Sequence, residues 1–193
     1  MKRVVKFSVL IAVMSIAMIG CFGNKNKSEG DKRLSVKSAY IIFENVEKGV
    51  VEERTHIMWD DYGKLYRSGK EENYTVLNEH IGKMFLVERG KYVELDKSFY
   101  SVGIMGIKSS GYFENKSAPD YTKLPNRTIA GKDCSVWSFT TEGITTTIGG
   151  WNGIIFLRED KGFIESVGVK IDMTLTAISF SEKVPPNSFD APK

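Results

Sequence analysis

The sequence predicts a mainly β fold, in which a curved antiparallel sheet of about nine to ten strands forms a partial or closed barrel, with little helix. From Leu34 onward, apolar and polar residues alternate with a period of two. Short polar turns separate the alternating segments, which is typical of antiparallel pairing between successive strands. The longest segment, Glu165 to Ser179, would span on the order of 45 Å as a strand, which favours a sheet that curls.

The first 20 residues read as a secretory signal peptide. A basic start is followed by an apolar run from Phe7 to Ile19, which is too short for the roughly 20 residues that cross a bilayer. The stretch Met18-Ile19-Gly20-Cys21 resembles the lipobox of bacterial lipoproteins, in which the cysteine is lipidated and becomes the new N-terminus. We therefore predict lipidation at Cys21; the alternatives are an ordinary signal peptide and an N-terminal helix whose cysteine is incidental.

The composition separates a short tether from one domain. Residues 21–34 comprise the lipidated cysteine and a segment with almost no large apolar side chain, so we predict a flexible tether there and a single β domain over residues 35–193. The net charge of +3 comes from Lys2, Arg3 and Lys6, because the rest of the chain has 24 basic and 24 acidic residues. A domain without a basic surplus is not expected to bind nucleic acid.

The elements of the domain can be placed in order from the alternation and the turns. The predicted strands cover residues 36–44, 50–59, 64–68, 74–77, 84–88, 91–95, 128–139, 144–148, 154–158 and 165–179. Asp60-Asp61-Tyr62-Gly63 reads as a turn, and Arg89-Gly90 reads as a tight hairpin. A change of parity at Ile178 and Phe180 predicts a bulge or a change of sheet face in the last strand. Residues 97–108 are the best candidate for a short helix, although two glycines weaken it.

An irregular insertion interrupts the strands in the middle of the chain. Residues 99–106 are apolar and glycine-interrupted, and residues 109–125 are polar with two prolines. Long irregular loops in compact domains are often functional. Ile104, Met105 and Ile107 would then cover a ligand as a lid; an apolar plug that packs against the core is the alternative.

The residues that common catalysis requires are mostly missing. His56 and His80 are the only histidines, and neither has the spacing of a metal site. Arg158-Glu159-Asp160-Lys161 reads as a solvated turn, and Cys134 as a small buried apolar residue rather than a catalytic thiol. We therefore predict no enzymatic activity, no metal and no cofactor.

Trp151 is surrounded by glycines. Gly149, Gly150 and Gly153 flank it, and glycine within a strand often marks a bulge or a close approach to the backbone. Two interpretations follow: a core tryptophan beside a bend, or an indole at the mouth of the curved sheet.

Three segments carry a resemblance to a known family. They are Ile129-Ala130-Gly131-Lys132-Asp133-Cys134-Ser135-Val136-Trp137, then Gly150-Trp151-Asn152-Gly153-Ile154-Ile155-Phe156-Leu157, and Val184-Pro185-Pro186-Asn187-Ser188-Phe189-Asp190-Ala191-Pro192. With the lipobox leader, they resemble the LolA/LolB-like (lipoprotein-sorting-like) superfamily of bacterial envelope lipoproteins. The resemblance implies an incomplete, strongly curved antiparallel barrel whose apolar concave face holds acyl chains of lipids or lipoproteins.

These observations predict a lipid-anchored protein of the bacterial cell envelope that binds an apolar ligand, either an acyl chain, a lipid or a lipoprotein. The residues expected to line the ligand are Trp151, Val169, Ile171, Met173 and Leu175, with Ile104, Met105 and Ile107 above them. The alternative is a tethered structural or protein-interaction domain with a filled core. Because Phe22 stands where an inner-membrane retention signal would have Asp, we expect the outer membrane, facing the periplasm, if the source is Gram-negative.

Overall fold

The structure is a computed structural model, and it describes residues 33–95 and 121–190. Within these residues there is no α-helix, and a 3-10 turn over Asp61–Gly63 is the one helical element. The strands are β1 (Ala39–Glu47), β2 (Val50–Asp60), β3 (Leu65–Gly69), β4 (Asn73–Asn78), β5 (Lys83–Glu88), β6 (Lys91–Leu95), β7 (Thr122–Ile129), β8 (Lys132–Thr141), β9 (Ile144–Trp151), β10 (Ile154–Ile164) and β11 (Val169–Ser181).

All eleven strands belong to one antiparallel sheet in the order β6-β5-β4-β3-β2-β1-β11-β10-β9-β8-β7. Successive strands pair with each other from β1 to β6 and again from β7 to β11. The pairing of β1 with β11 joins these two halves of the chain. In the described part of the chain, β6 and β7 each pair with one strand only. The sheet is therefore open. The predicted mainly β antiparallel fold is confirmed, and of the two predicted forms the sheet is not the closed barrel.

The sheet curves strongly between β7 and β11. These strands are separated by four strand spacings, which would hold them about 19 Å apart in a flat sheet. Their Cα atoms nevertheless approach within 8 Å. The half of the sheet that contains β7 to β11 therefore curls back on itself.

Apolar clusters lie on both faces of the sheet. Successive residues of a strand point to opposite faces, so Trp59 and Met58 of β2 belong to different clusters. Cluster one contains Leu34, Ala39, Ile41, Phe43, Ile57, Trp59, Tyr66, Leu77, Met84, Ile129, Cys134, Ile154, Phe156, Leu157 and Ala177. Cluster two contains Met58, Val76, Phe85, Val87 and Phe189, and the chain after β11 covers it through Phe189.

The single strand predicted over residues 128–139 is wrong, because two strands occupy this region. The dipeptide Ala130-Gly131 turns the chain between β7 and β8, with φ values of 45° and 76°. Two consecutive residues with positive φ form the turn that matches the twist of a two-stranded hairpin. An Ala-Gly pair within an apolar segment is a weak turn signal, which explains the miss. The Arg89-Gly90 hairpin is confirmed, with φ values of 47° and 78°.

The boundaries of the last two strands also differ from the prediction. Residues 158–161 were expected to form a solvated turn, but they lie inside β10, which continues to Ile164. Residues 165–168 form the turn instead, with Val167 N donating to Ile164 O at 3.3 Å and Gly168 at φ 65°. Consecutive charges suggested a turn, but a strand separates them onto its two faces.

The bulge predicted near Ile178 is confirmed. Ile42 of β1 lies opposite Ser179 and Phe43 lies opposite Ala177, so Ile178 is the extra residue. It is exposed, while Ala177 and Phe180 both point toward cluster one. The bulge therefore restores the apolar face of β11 after the change of parity. The short helix predicted over residues 97–108 lies outside the described residues.

Candidate functional site

Two rows of side chains cross β8 to β11 on one face of the sheet. Residues that lie directly opposite each other in antiparallel strands project to the same side. The first row consists of Trp137, Ile148, Arg158 and Leu175, and the second of Phe139, Thr146, Asp160 and Met173. We call this surface the Arg158 face. It is continuous with cluster one, because Leu175 packs against that cluster.

The Arg158 face is apolar around a polar centre. Ile148 is 1% exposed, while the remaining apolar members, Trp137, Phe139, Met173 and Leu175, are half-buried. The ring of Tyr121 lies 4.7 Å from that of Phe139, measured between centroids. These half-buried side chains surround the polar centre with apolar and aromatic groups.

The polar centre is an ion pair held by a threonine. Arg158 Nε donates to Asp160 Oδ2 at 2.7 Å, and Thr146 Oγ1 donates to Asp160 Oδ1 at 2.7 Å. The side chains of Arg158 and Asp160 are 25% and 14% exposed. A charge that is mostly removed from water needs such partners, because an unpaired one would be strongly destabilising.

A groove lies near the tip of the β10–β11 hairpin, and most of its lining side chains project from the face opposite to the Arg158 face. It has a volume of about 510 Å³ and is lined by Lys161, Gly162, Phe163, Lys170, Ile171 and Asp172. Ile171 lies opposite Gly162, one row beyond Met173 and Asp160. Phe163 and Val169, which follow at the tip, are 49% and 40% exposed.

The structure separates the residues that the sequence predicts to line a ligand. Met173 and Leu175 belong to the Arg158 face, Ile171 is buried beside the groove, and Val169 is exposed at the tip. All four follow one face of β11, as the alternation predicts. The predicted lipidation site, Cys21, and the predicted lid residues Ile104, Met105 and Ile107 lie outside the described residues.

Trp151 lies at the opposite end of the sheet from the hairpin tip. Its ring packs edge-on against Phe156 and Phe180, with centroid distances of 6.0 and 5.4 Å. The Lys132 ammonium lies 4.3 Å from the Trp151 ring centroid and 3.7 Å from a Glu182 carboxylate oxygen. Cation–π contacts of this kind hold an aromatic ring in place. Trp151 is therefore half-buried against cluster one, within reach of solvent at the sheet end.

Sequence reasoning missed the polar residues of the Arg158 face. Arg158 and Asp160 were assigned to a turn, and Thr146 and Trp137 were not singled out. The signal that could have found them is the spacing of Arg158 and Asp160 by two residues in a strand. That spacing places an opposite-charge pair on one face, with Glu159 on the other, where it pairs with Arg127 at 3.5 Å.

A second, charged groove of about 700 Å³ lies on the other half of the sheet. Its lining residues are Glu53, Thr55, Gly69, Lys70, Asn73, Glu88, Arg89 and Lys91. Glu53 and Lys70 form an ion pair with each other. Surface ion pairs of this kind are ordinary, and this polar lining does not suit an apolar ligand.

Both histidines have hydrogen-bond partners. His56 Nδ1 lies 2.6 Å from the Tyr40 hydroxyl, and burial raises the pKa of that tyrosine. His80 Nε2 lies 3.0 Å from Asp61 Oδ2, and this hydrogen bond lowers the pKa of the Asp61 carboxyl. Across residues 33–95 and 121–190, no three His, Cys, Asp or Glu side chains are grouped so that they could hold a metal ion.

Comparison of the sequence with protein-family models and with curated proteins finds no match. In the part of the chain that the structure describes, no helix is long and apolar enough to cross a membrane.

Proposed function

We propose that this chain is a lipid-anchored protein of the bacterial cell envelope that binds an apolar ligand, either an acyl chain, a lipid or a lipidated partner, on its curved sheet. The observation that carries the proposal is the Arg158 face together with the apolar residues of β11 beyond it. From Leu175 to Val169, apolar residues of β11 alternate over six positions, or about 20 Å. That length is comparable with that of a long acyl chain. Leu175 and Met173 are half-buried, Ile171 is buried, and Val169 at the tip is 40% exposed.

The LolA/LolB-like resemblance is part of this proposal. An open, curved antiparallel sheet with apolar side chains on one face is the architecture that the resemblance implies. The anchor at Cys21 and the placement at the outer membrane, if the source is Gram-negative, rest on the sequence alone. The proposed role is non-catalytic, since it requires only a surface that holds an apolar group.

The first experiment tests whether the Arg158 face binds an apolar ligand. In a full-length chain carrying Cys21→Ser, which is expected to escape lipidation, dodecanoate binding is measured by isothermal titration calorimetry. Met173→Asp places a carboxylate beside Asp160 on this face, so we expect affinity to fall at least about tenfold. Thr174→Asp, on the opposite side of the same strand, is the matched control and should bind like the parent.

Binding that survives Met173→Asp with unchanged affinity would place the ligand elsewhere. The free energy of unfolding, from urea titrations, is measured on both variants. A loss of binding in Met173→Asp counts only if its stability remains within about 2 kcal/mol of the control.

Tryptophan fluorescence distinguishes the two places where the ligand could contact an indole. Trp137 lies in the Arg158 face and Trp151 at the other end of the sheet, while Trp59 is fully buried. We expect dodecanoate to shift the emission of the parent and of Trp151→Phe, but not of Trp137→Phe. The reverse result would support the prediction that Trp151 stands at the mouth of a ligand site.

A tethered interaction domain without a small ligand is the second candidate function. It is favoured by the filled core, since Phe43, Trp59 and Phe156 are at most 1% exposed. Native mass spectrometry of the protein purified from its membrane decides between the two. Lipid that co-purifies with the parent and is absent from Met173→Asp supports ligand binding, whereas a bare chain in both supports the interaction domain.

A further inference from the structure

The Arg158 guanidinium has donors that the protein leaves unused. An arginine carries five N–H donors. Its Nε donates to Asp160, and within the described residues no acceptor takes a hydrogen bond from Nη1 or Nη2. Four donors of a side chain that is only 25% exposed are therefore left for another acceptor.

Asp160 orients the Arg158 guanidinium but accepts only one of its hydrogen bonds, that from Nε. Its Oδ2 accepts from Arg158 Nε, and its Oδ1 accepts from Thr146. This arrangement leaves the end of the guanidinium, with Nη1 and Nη2 side by side, as the free edge. Carboxylate and phosphate oxygens match that edge in a bidentate geometry.

The neighbours of Arg158 across the sheet are apolar. Ile148 lies opposite it on β9 and Leu175 on β11. Other charged groups of this face include Lys123, whose ammonium lies 5.9 Å from the Trp137 ring centroid, and Glu47, opposite Met173. Glu53 lies farther along the Arg158 row, opposite Asn45, and pairs with Lys70. Cationic donors beside apolar side chains, with a second cation at the end of the same row, favour an anion that also carries an apolar part.

We propose that Nη1 and Nη2 of Arg158 bind the anionic headgroup, a carboxylate or a phosphate, of an amphiphile whose tail lies along the apolar strip of β11. This inference rests on the proposed function, and it narrows the ligand from any apolar molecule to an anionic one. Met173, Ile171 and Val169 extend from the arginine toward the hairpin tip and accept the tail.

The test compares three probes that share one alkyl chain: dodecanoate, dodecyl phosphate and methyl dodecanoate. All are titrated against the full-length Cys21→Ser chain. We expect at least one anionic probe to bind about tenfold more tightly than the neutral ester, as one charge-assisted hydrogen-bonded pair allows. The two anionic arms distinguish a carboxylate headgroup from a phosphate.

Three variants test whether Arg158 is the residue that binds the anionic headgroup. Arg158→Gln should reduce the affinity for the preferred anion about tenfold and leave that for the ester unchanged. Arg158→Gln combined with Asp160→Asn should behave in the same way, and it avoids leaving a carboxylate without its partner. Arg127→Gln removes the same charge from the arginine that pairs with Glu159 on the opposite side of β10, and it should keep the preference.

Two results would overturn this inference while the proposed function stands. One is equal affinity of the parent for the ester and both anions. The other is an unchanged preference in the folded double variant. If no probe binds the parent, the proposed function and this inference are both wrong.

Discussion

Gly149 shows how one residue without a side chain shapes the sheet. A Cβ atom at this position would lie 3.1 Å from Leu157 Cβ and 3.2 Å from Ile129 Cδ1. Both distances are tighter than ordinary van der Waals contact. Ile129 of β7 therefore packs directly over the backbone of β9, which is the close approach that the glycines around Trp151 predict.

We expect Gly149→Ala to destabilise the protein by about 1–3 kcal/mol, because the added methyl group overpacks this contact. Urea unfolding monitored by circular dichroism measures the change. Ile129→Val removes the Cδ1 atom that the methyl group meets, so the double variant should lose less stability than the two single variants together. Strict additivity would mean that the cost of Gly149→Ala is not steric.

Cys134 is the free thiol of the described residues, and it is fully buried. Burial raises the pKa of its thiol to about 11, with the neighbouring Asp133 carboxylate adding to the effect. Only the thiolate reacts with alkylating reagents, and at pH 8 a thiol with this pKa is about 0.1% ionised.

In the Cys21→Ser chain, Cys134 is the single cysteine. We expect iodoacetamide to leave it unmodified at pH 8 in the native state and to modify it rapidly in urea, as mass spectrometry would record. Between pH 8 and 10 the native rate should rise steadily, because the thiolate fraction increases about tenfold per pH unit below the pKa. Rapid native alkylation at pH 8 would contradict the buried assignment.

Among the elements, the segment after β11 covers cluster two. Its Phe189 is buried in cluster two, and the Asn78 side chain donates to the Phe189 carbonyl at 3.1 Å. Ser188 Oγ donates to Pro185 O at 2.7 Å and fixes the turn that delivers the ring. The β10–β11 hairpin is the opposite case, since its Phe163 is half exposed at the tip.

These two phenylalanines form a matched pair for truncation. Phe189→Ala should cost about 3 kcal/mol of unfolding free energy, as for other buried phenylalanines. Phe163→Ala should cost less than about 1 kcal/mol, because exposed side chains lose little when they are shortened. Urea midpoints measured side by side check the contrast; similar losses would mean that the C-terminal segment does not seal cluster two.

At the scale of the whole molecule, the described chain begins at one end of the sheet, and the groove of the β10–β11 hairpin lies at the opposite end. The amides of Arg33 and Leu34 both donate to Tyr62 O at 3.0 Å, beside the β2–β3 turn. The β10–β11 tip lies at the other end, because β11 runs antiparallel to β1 with Tyr40 opposite Ser181 and Glu47 opposite Met173. Arg33 therefore lies at the end of the sheet that is remote from the groove.

We expect Cys21→Ser to move the protein from the detergent phase to the aqueous phase in a cloud-point separation, because the lipid would be lost. Cys134→Ser is the control with the same substitution, and it should remain in the detergent phase. Should the Cys21→Ser chain still fractionate with detergent, membrane attachment would not depend on this cysteine.

The sequence by itself determined the fold class and the path of the apolar face along β11. Alternation with a period of two is a local property, so it predicted strands, the Arg89-Gly90 hairpin and the bulge at Ile178 without knowledge of their partners. It failed at Ala130-Gly131 and at residues 158–161, where pairing with neighbouring strands overrode weak local signals.

Only the tertiary structure decided which residues share a site. Trp137, Ile148, Arg158 and Leu175 come from four strands, and the register of three strand pairs brings them into one row. Local alternation places Arg158 and Asp160 on one side of β10 but does not say what lies beside them. Residues 158–161 read as a solvated turn, but Ile148 and Leu175 flank Arg158 and leave it mostly buried, paired with Asp160. The cost of removing charge from water depends on such neighbours, and these are distant in sequence.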